Sequence, residues 1–431
     1  MHPAPHLRSW LGSRVRAAAF PAFFCVALAA CGGQTLPPVV QPAPESRTTT
    51  PQVGIYPEVQ EAPPSEGLDA ETALVVPPGP ATPTLRPVNV AILLPLSGAN
   101  AGVGNALLNA AQMALFDVGG QNLVLWPKDT EGTPEGAARA VEAALQDGVE
   151  LILGPLFSGS VRAAAETARE RGVNVVAFSN DRSVAGDGVF LMGFMPEQQV
   201  DRVVNFARTQ GITRFAALLP ETPFGATVED ALRAAMIRGG GDLVRVERYF
   251  PDAQDFQDPV QRIAALDAIG ELGYEALFIA EGGARMRAIA PFLPYYDVDP
   301  DNVRFLGTLL WEDPAIGREP AMVGGWFAGP SPEAAASFRA RYAALYGAAT
   351  PRVASLAYDA MGLAAVLSRA AERPYFTEES LRNQNGFVGI DGIFRFDEDG
   401  IAQRGLAVIE IRPRDFQVIS NAPQSFEEAI N

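Results

Sequence analysis

From Val88 onward the chain alternates between continuous apolar runs of strand length and longer stretches with apolar residues at helical spacing. The run VNVAILLPLSG is a strand ending in a Pro-Leu-Ser-Gly turn. Residues 101–116 then place Leu107, Leu108, Ala111, Ala114 and Leu115 on one helical stripe, closed by Gly119-Gly120. A second strand over 123–126 exits into Lys128-Asp129-Thr130, and Thr133 and Pro134 open a helix, as cap and first-turn proline, that runs to Asp147. The third unit, LILGPLFSGSVRAAAETARERG over 151–172, is a short buried strand, a Gly154-Pro155 turn, a serine-bearing loop and an amphipathic helix. Ser158 or Ser160 is expected to cap that helix and Gly172 to end it. A fourth strand over 173–178 ends in Ser179-Asn180-Asp181. Four such repeats predict an α/β fold with a parallel sheet covered on both faces.

The pattern then begins again. Helices over 196–208, 227–238, 258–266 and 285–292 alternate with strands over 214–219, 243–250, 276–280, 304–308 and 325–328, which predicts a second α/β lobe. Helices over 332–346 and 353–371 need a sheet to cover, and the first lobe is the expected one. The tail, GFVGIDGIFRFDEDGIAQRGLAVIEIRP over 386–413, is expected to be two strands joined by the turn Asp397-Glu398-Asp399-Gly400. The loop at 154–160 stands out because ligands sit at the carboxyl ends of parallel strands, where helix N–H groups attract anions. An ordinary connection between strand and helix is the alternative.

Composition narrows the chemistry. The 431 residues carry a net charge of −17, and Lys128 is the only lysine, so the basic surface that nucleic-acid binding needs is lacking. Both histidines (His2, His6) and both cysteines (Cys25, Cys31) fall at the start of the chain. There Arg8, Arg14 and Arg16 precede an apolar run over 17–27, and Leu28-Ala29-Ala30-Cys31 closes it. This is a signal peptide over 1–30 in outline, too short for a membrane span. Its ending resembles a bacterial lipobox, which implies lipid attachment at Cys31, and Gly32 resembles the residue found there in lipoproteins sorted to the outer membrane. An ordinary cleaved signal is the alternative. After cleavage no histidine would remain, which excludes Ser-His-Asp and Cys-His catalysis and zinc sites of the His/Cys type. Residues 31–86 are rich in Pro, Thr, Gln and Glu and are expected to form a disordered tether, with an average reach of ~40 Å as a flexible coil.

LLPLSG, LGPLFSGS, AALLPETPFGATVEDAL, ASLAYDAMGLAA and GIDGIFRFDEDGIAQRG occur in that order. The set resembles the type I periplasmic-binding-protein family, in its branched-chain amino-acid receptor branch. The resemblance implies two Rossmann-like lobes with an interlobe cleft and three hinge crossings, near Met195, Pro330 and Gly405. Lobe 1 would then be 87–195 plus 330–404, and lobe 2 would be 196–329 plus 405–431. It also implies a site. Ser158, with Ser160 beside it, stands where a serine grips the charged head of an amino acid. Ser179 and Asn180 fall in a loop that supplies further contacts, Phe224 where the second lobe presents a tyrosine, and Glu281 near the carboxylate that pairs the ligand's ammonium. Purely structural roles also stand for these residues, as helix cap, turn or core.

Three functions compete. The chain also resembles penicillin-binding-protein activator lipoproteins, which implies an outer-membrane-anchored protein that stimulates a peptidoglycan synthase across a gap that the tether would span. The second is the substrate-binding receptor of an ABC transporter for amino acids or small peptides, which inner-membrane anchoring would favour. An enzyme is not expected: no nucleophile motif or clustered metal ligands are present, Lys128-Asp129 is expected to be a surface ion pair, and Phe396–Gly400 a hairpin turn, not a calcium loop. No cofactor and no metal are implied.

Overall fold

The first apolar run forms β1 (Val88–Leu94), buried along almost its whole length. The computed structural model describes residues 86–120 and 122–427. The proposed signal peptide, the lipid-attachment residue Cys31 and the tether lie outside the described residues, apart from Arg86. Five parallel strands make the first sheet in the order β2-β1-β3-β4-β5. The others are β2 (Leu123–Asp129), β3 (Leu151–Leu153), β4 (Asn174–Ala177) and β5 (Val189–Leu191), with α1 (Ala101–Val118), α2 (Pro134–Gln146) and α3 (Ser158–Glu170) in the connections. β5 escaped the sequence pattern because three apolar residues behind Gly186 and Gly188 show no period.

After β5 the chain enters α4 (Pro196–Thr209) and builds β6 (Arg214–Pro220), α5 (Pro223–Gly239), β7 (Asp242–Tyr249), α6 (Gln257–Ile263), β8 (Ala276–Ile279), α7 (Gly283–Ile289), α8 (Phe292–Tyr295), β9 (Arg304–Gly307) and β10 (Trp326–Gly329). It then returns through α9 (Ala336–Tyr346), α10 (Ala354–Leu367) and α11 (Glu378–Leu381) to a three-stranded antiparallel sheet of β11 (Phe387–Gly389), β12 (Gly392–Phe396) and β13 (Ala402–Arg404). Finally β14 (Ala407–Arg412) and β15 (Asp415–Ser420) join the second sheet, whose order is β15-β14-β10-β9-β8-β6-β7. The tail thus holds more than the two strands expected, since its glycines and the Asp397 turn divide it into short antiparallel pieces. The parallel part of each sheet repeats one plan: the first strand sits second from the edge and the order reverses beside it. That reversal is where α/β sheets open a crevice at the carboxyl ends of their strands.

Each sheet is covered on both faces. One core packs α1, α9 and α10 on the first sheet, as expected for the two late helices, and another packs α2 and α3 on its other side. α4 and α5 cover one face of the second sheet, and α6, α7 and α8 the other. Fully buried side chains such as Leu107, Phe190 and Phe278 each contribute about 1.5–3 kcal/mol relative to exposure.

α2 and α5 begin with the same four-residue device. Thr133 and Thr222 accept the N–H of Gly136 and Gly225 at 3.0 and 3.2 Å, with Pro134 and Pro223 in the first turn. Glycine is required because a Cβ would lie 2.2 Å from the Thr130 oxygen in one case and 2.0 Å from that of Pro220 in the other. α5 therefore starts four residues before the expected 227, which puts Phe224 in its first turn.

Charged groups tie the two halves together in the interior. Arg352, ahead of α10, lies 2.6 Å from Glu312, which follows β9, and 2.9 Å from Asp391 in the turn between β11 and β12. Its guanidinium also lies over the Phe194 ring at 4.5 Å. Burial pushes the Glu312 carboxyl up in pKa against the pull of Arg352 and Arg339. Nearby, Asp359 of α10 accepts the Ile390 N–H at 2.7 Å. Burial first and the Asp391 charge second push its carboxyl up to about 7, opposed by Arg404.

Arg352→Met should cost about 3–5 kcal/mol in equilibrium chemical denaturation, because it leaves Glu312 and Asp391 buried without their counter-charge. Asp359 holds its proton more tightly folded than unfolded, so its stabilising contribution is complete below the ordinary carboxylate range and is lost as pH rises through about 7. The stability of Asp359→Asn relative to the parent should therefore shift in the variant's favour between pH 5 and pH 8.

Candidate functional site

The amino ends of α3 and α5 face a common cavity of about 600 Å³. From the first lobe it is lined by Ser158 and by Asn180, Asp181 and Arg182, which follow β4. Pro196 and Glu197 at the start of α4 form its floor, and Pro223, Phe224, Thr227, Asp230, Ala234 and Arg238 of α5 its far wall. The size falls within the range of small-molecule sites. A larger cavity of about 1080 Å³ shares Arg182 and Glu197 but runs along α4, the β12–β13 hairpin and the final segment. The smaller one lies at the carboxyl ends of parallel strands from both sheets, the place where the fold gathers free polar groups.

The structure brings together three of the residues singled out from sequence, Ser158, Asn180 and Phe224. Ser158 and Ser160 do not cap α3: the cap position falls on Phe157, which makes no side-chain cap. Ser158 instead lies beside the Asp181 carboxylate and helps to hold its pKa down. Ser160 sits in the first turn of α3, 1% exposed, and its hydroxyl has no hydrogen-bond partner among the described residues. Ser179 is buried and its Oγ accepts the Asp181 N–H at 3.1 Å, so it shapes the loop from beneath.

Glu281 is not among the residues lining this cavity. Its carboxylate accepts the Tyr249 hydroxyl at 2.9 Å and Arg285 Nε at 2.8 Å, while the Trp311 indole donates to its carbonyl at 2.9 Å. Arg285 in turn lies over the rings of Tyr249 and Phe256. Burial, reinforced by Glu281, pushes the Tyr249 hydroxyl up, so it stays a donor. Lys128 pairs with Asp147, not with Asp129 as expected, because the exposed Asp129 carboxylate accepts the N–H groups of Leu96, Ser97 and Glu131.

Sequence reasoning missed the charged residues of the cavity: Asp181, Arg182, Glu197, Asp230 and Arg238. The signal was present for two of the α5 residues, since Thr227, Asp230, Ala234 and Arg238 recur at helical spacing on the face opposite its apolar stripe. Asp181 accepts hydrogen bonds from the Ser183 hydroxyl at 2.7 Å and its N–H at 3.0 Å. With the help of Ser158 these hold its carboxyl below the usual carboxylate range, against the opposing effect of burial. No helix of the described residues is long and apolar enough to cross a membrane.

A two-lobed α/β architecture with a solute-sized cavity between strand ends defines a binding protein, and residues 87–416 match the family model described as periplasmic binding protein. The chain belongs to that family. It is 24% identical over 213 residues to a Leu/Ile/Val-binding protein homolog of Brucella melitensis, covering 47% of this chain and 57% of that one. The chain aligns with only 57% to 58% of the length of the curated relatives it matches. Among solved structures, the periplasmic ligand-binding protein of a branched-chain amino acid ABC transporter from Burkholderia xenovorans superposes with a TM-score of 0.67 at 18% identity, covering 78% of this chain and 96% of its own. The branched-chain amino acid substrate-binding protein of Streptococcus pneumoniae, in complex with isoleucine, gives 0.59 at 18% identity, covering 78% of this chain and 100% of its own. These likenesses establish the fold.

Glu281→Gln should lower the unfolding free energy by about 1–3 kcal/mol in urea denaturation, because the partly buried Arg285 loses its charged acceptor.

Proposed function

We propose that this protein is a solute receptor of the cell envelope, a periplasmic substrate-binding protein that holds a small molecule between its lobes and presents it to a membrane transporter. The observation that carries the reading is the cavity at the amino ends of α3 and α5, lined from both lobes and of a size suited to a small molecule. Family membership supports it, as do relatives whose names describe amino-acid binding. Those relatives favour a receptor over the activator of a peptidoglycan synthase. The residues we assign to the site are Ser158, Asn180 and Phe224 together with Asp181 and Asp230. Ser179 supports the loop, Ser160 is buried within α3, and Glu281 serves the interior of the second lobe. Lipid attachment at Cys31, a tether over 31–86 and lobes divided near Met195, Pro330 and Gly405 belong to the same proposal. The anchor would keep the receptor beside the membrane while the tether lets it turn.

A thermal-shift screen of amino acids, aromatic acids and amines should yield at least one stabilising solute, with a gain of about 2.7 kcal/mol at a hundred times its dissociation constant. Ala234→Trp fills the cavity from a half-buried position on α5. It should abolish that gain while changing the solute-free stability by less than about 1 kcal/mol. An undiminished response in the Trp variant would place the solute elsewhere.

A further inference from the structure

We propose that Glu312 is a reversible latch between the lobes: a single carboxylate of the second lobe seated among charged side chains of the first, which it leaves whenever the angle between the lobes changes. The receiving side is built from segments that belong to the first lobe. Arg339 comes from α9, Arg352 from the approach to α10, and Asp391 from the turn between β11 and β12. Glu312 enters from the second lobe, directly after the short Leu309–Trp311 turn that follows β9, and its side chain is only 10% exposed. Its Oε1 accepts from Arg339 Nη1 at 3.4 Å, and its Oε2 lies 2.6 Å from Arg352 Nε. The ring of Phe194, in the first passage between the sheets, lies against both Arg352 at 4.5 Å and Arg404 at 4.9 Å. The aromatic floor of the latch is thus part of a crossing segment.

Each side of the contact is fixed to its own lobe. The Leu309 N–H is accepted by Gln199 of α4 at 2.7 Å, and the Trp311 indole, fully buried in the core of the second lobe, donates to the Glu281 carbonyl at 2.9 Å. Opposite, Arg339 also donates to the Pro332 carbonyl and Arg352 to Ser355 Oγ at 3.0 Å. Glu312 therefore has no slack of its own, and a change in the angle between the lobes draws it from the arginines. The contact also has the character of one that lets go. Glu312 Oε2 and Arg352 Nε come close without the alignment of a hydrogen bond, and the same holds for both oxygens of Asp391. Such a pair gains less than an aligned fork, while its charges still bear the cost of leaving water. Burial accordingly dominates at Glu312 and pushes its carboxyl up in pKa, against the pull of Arg352 and Arg339. A pair inside the first lobe behaves in the opposite way. Asp117 accepts Arg341 and the Tyr358 hydroxyl, each at 2.7 Å, and the Arg341 bond above all holds its carboxyl below the usual range.

Pulsed electron resonance between two spin labels on the full chain reads the separation of the lobes with no solute present. The labels go on Glu166→Cys of α3 and Ile237→Cys of α5, both exposed positions, in a background of Cys25→Ser and Cys31→Ser. Glu312→Gln keeps the size of the side chain and removes its charge, and Arg339→Met cuts the same contact from the first lobe. Each should raise the ratio of a second interlobe separation to the parent's about tenfold. The double variant should add little to either, because both changes remove one contact. Asp117→Asn, which breaks a pair within one lobe, should leave the distribution as it is in the parent. Arg339 is 38% exposed, so its variant keeps the test decisive if Glu312→Gln fails to fold. A distribution that neither folded variant changes overturns the latch and leaves the receptor reading intact, since no solute enters the measurement. Fully additive effects of the two, or an equal shift in Asp117→Asn, make Glu312 a general stabilising contact and overturn the latch as well.

Discussion

The guanidinium of Arg352 is the point at which the two halves of the molecule meet in the interior. It contacts Glu312 on one side and Asp391 on the other, and Phe194, in the segment leading from the first sheet to the second, closes it from above. Charges withdrawn from water are costly, and attraction offsets that cost only where geometry supplies several partners at once. Arg352 has them, with Ser355 Oγ accepting another of its N–H groups at 3.0 Å. Any change of angle between the lobes has to work against this contact.

α4 braces the passages on the same side of the molecule. Gln199 donates to the carbonyls of Phe194 and Met195 and accepts the Leu309 N–H, while Gln198 spans Ala402 and Arg404. Arg202 reaches the Leu406 carbonyl at 2.8 Å and Ser420 beyond it. One helix thereby touches two of the three segments that connect the sheets. The cavity walls inherit their spacing from it, because Pro196 and Glu197 belong to its first turn and line the cavity themselves.

How much of this was legible in the sequence follows from what each feature depends on. The repeated strand and helix pattern was legible because burial on both faces of a parallel sheet leaves continuous apolar runs, as in Val88–Leu94 and Phe215–Leu219. The Thr-Pro start of α2 was visible, and the identical start of α5 was overlooked although the same residues announce it. Short elements such as β5 and β11 carry too few residues to show a period. Ser158, Asn180 and Phe224 were identified through a family resemblance and share one cavity. The partners of Glu281 could not be foreseen, since Tyr249 and Trp311 lie about thirty residues to either side and only the folded sheet brings them to it. Asp230 belongs to a polar stripe legible at helical spacing, but that this stripe lines a cavity follows only from where the fold places α5.

The near-exclusive use of arginine has a structural logic here. Arg285 stacks on Tyr249 and Phe256 while bonding Glu281, and Arg404 lies over Phe194 and Phe394 while donating to the Met192 carbonyl. A planar fork can stack and bond at the same time, and a lysine ammonium cannot do both in this way. The lone lysine, Lys128, sits at the end of β2, beside Trp126 and paired with Asp147, on the opposite lobe from α5. An amine-directed fluorophore or crosslinker thus meets a single side-chain address in the whole sequence, on one known lobe and outside the cavity lining.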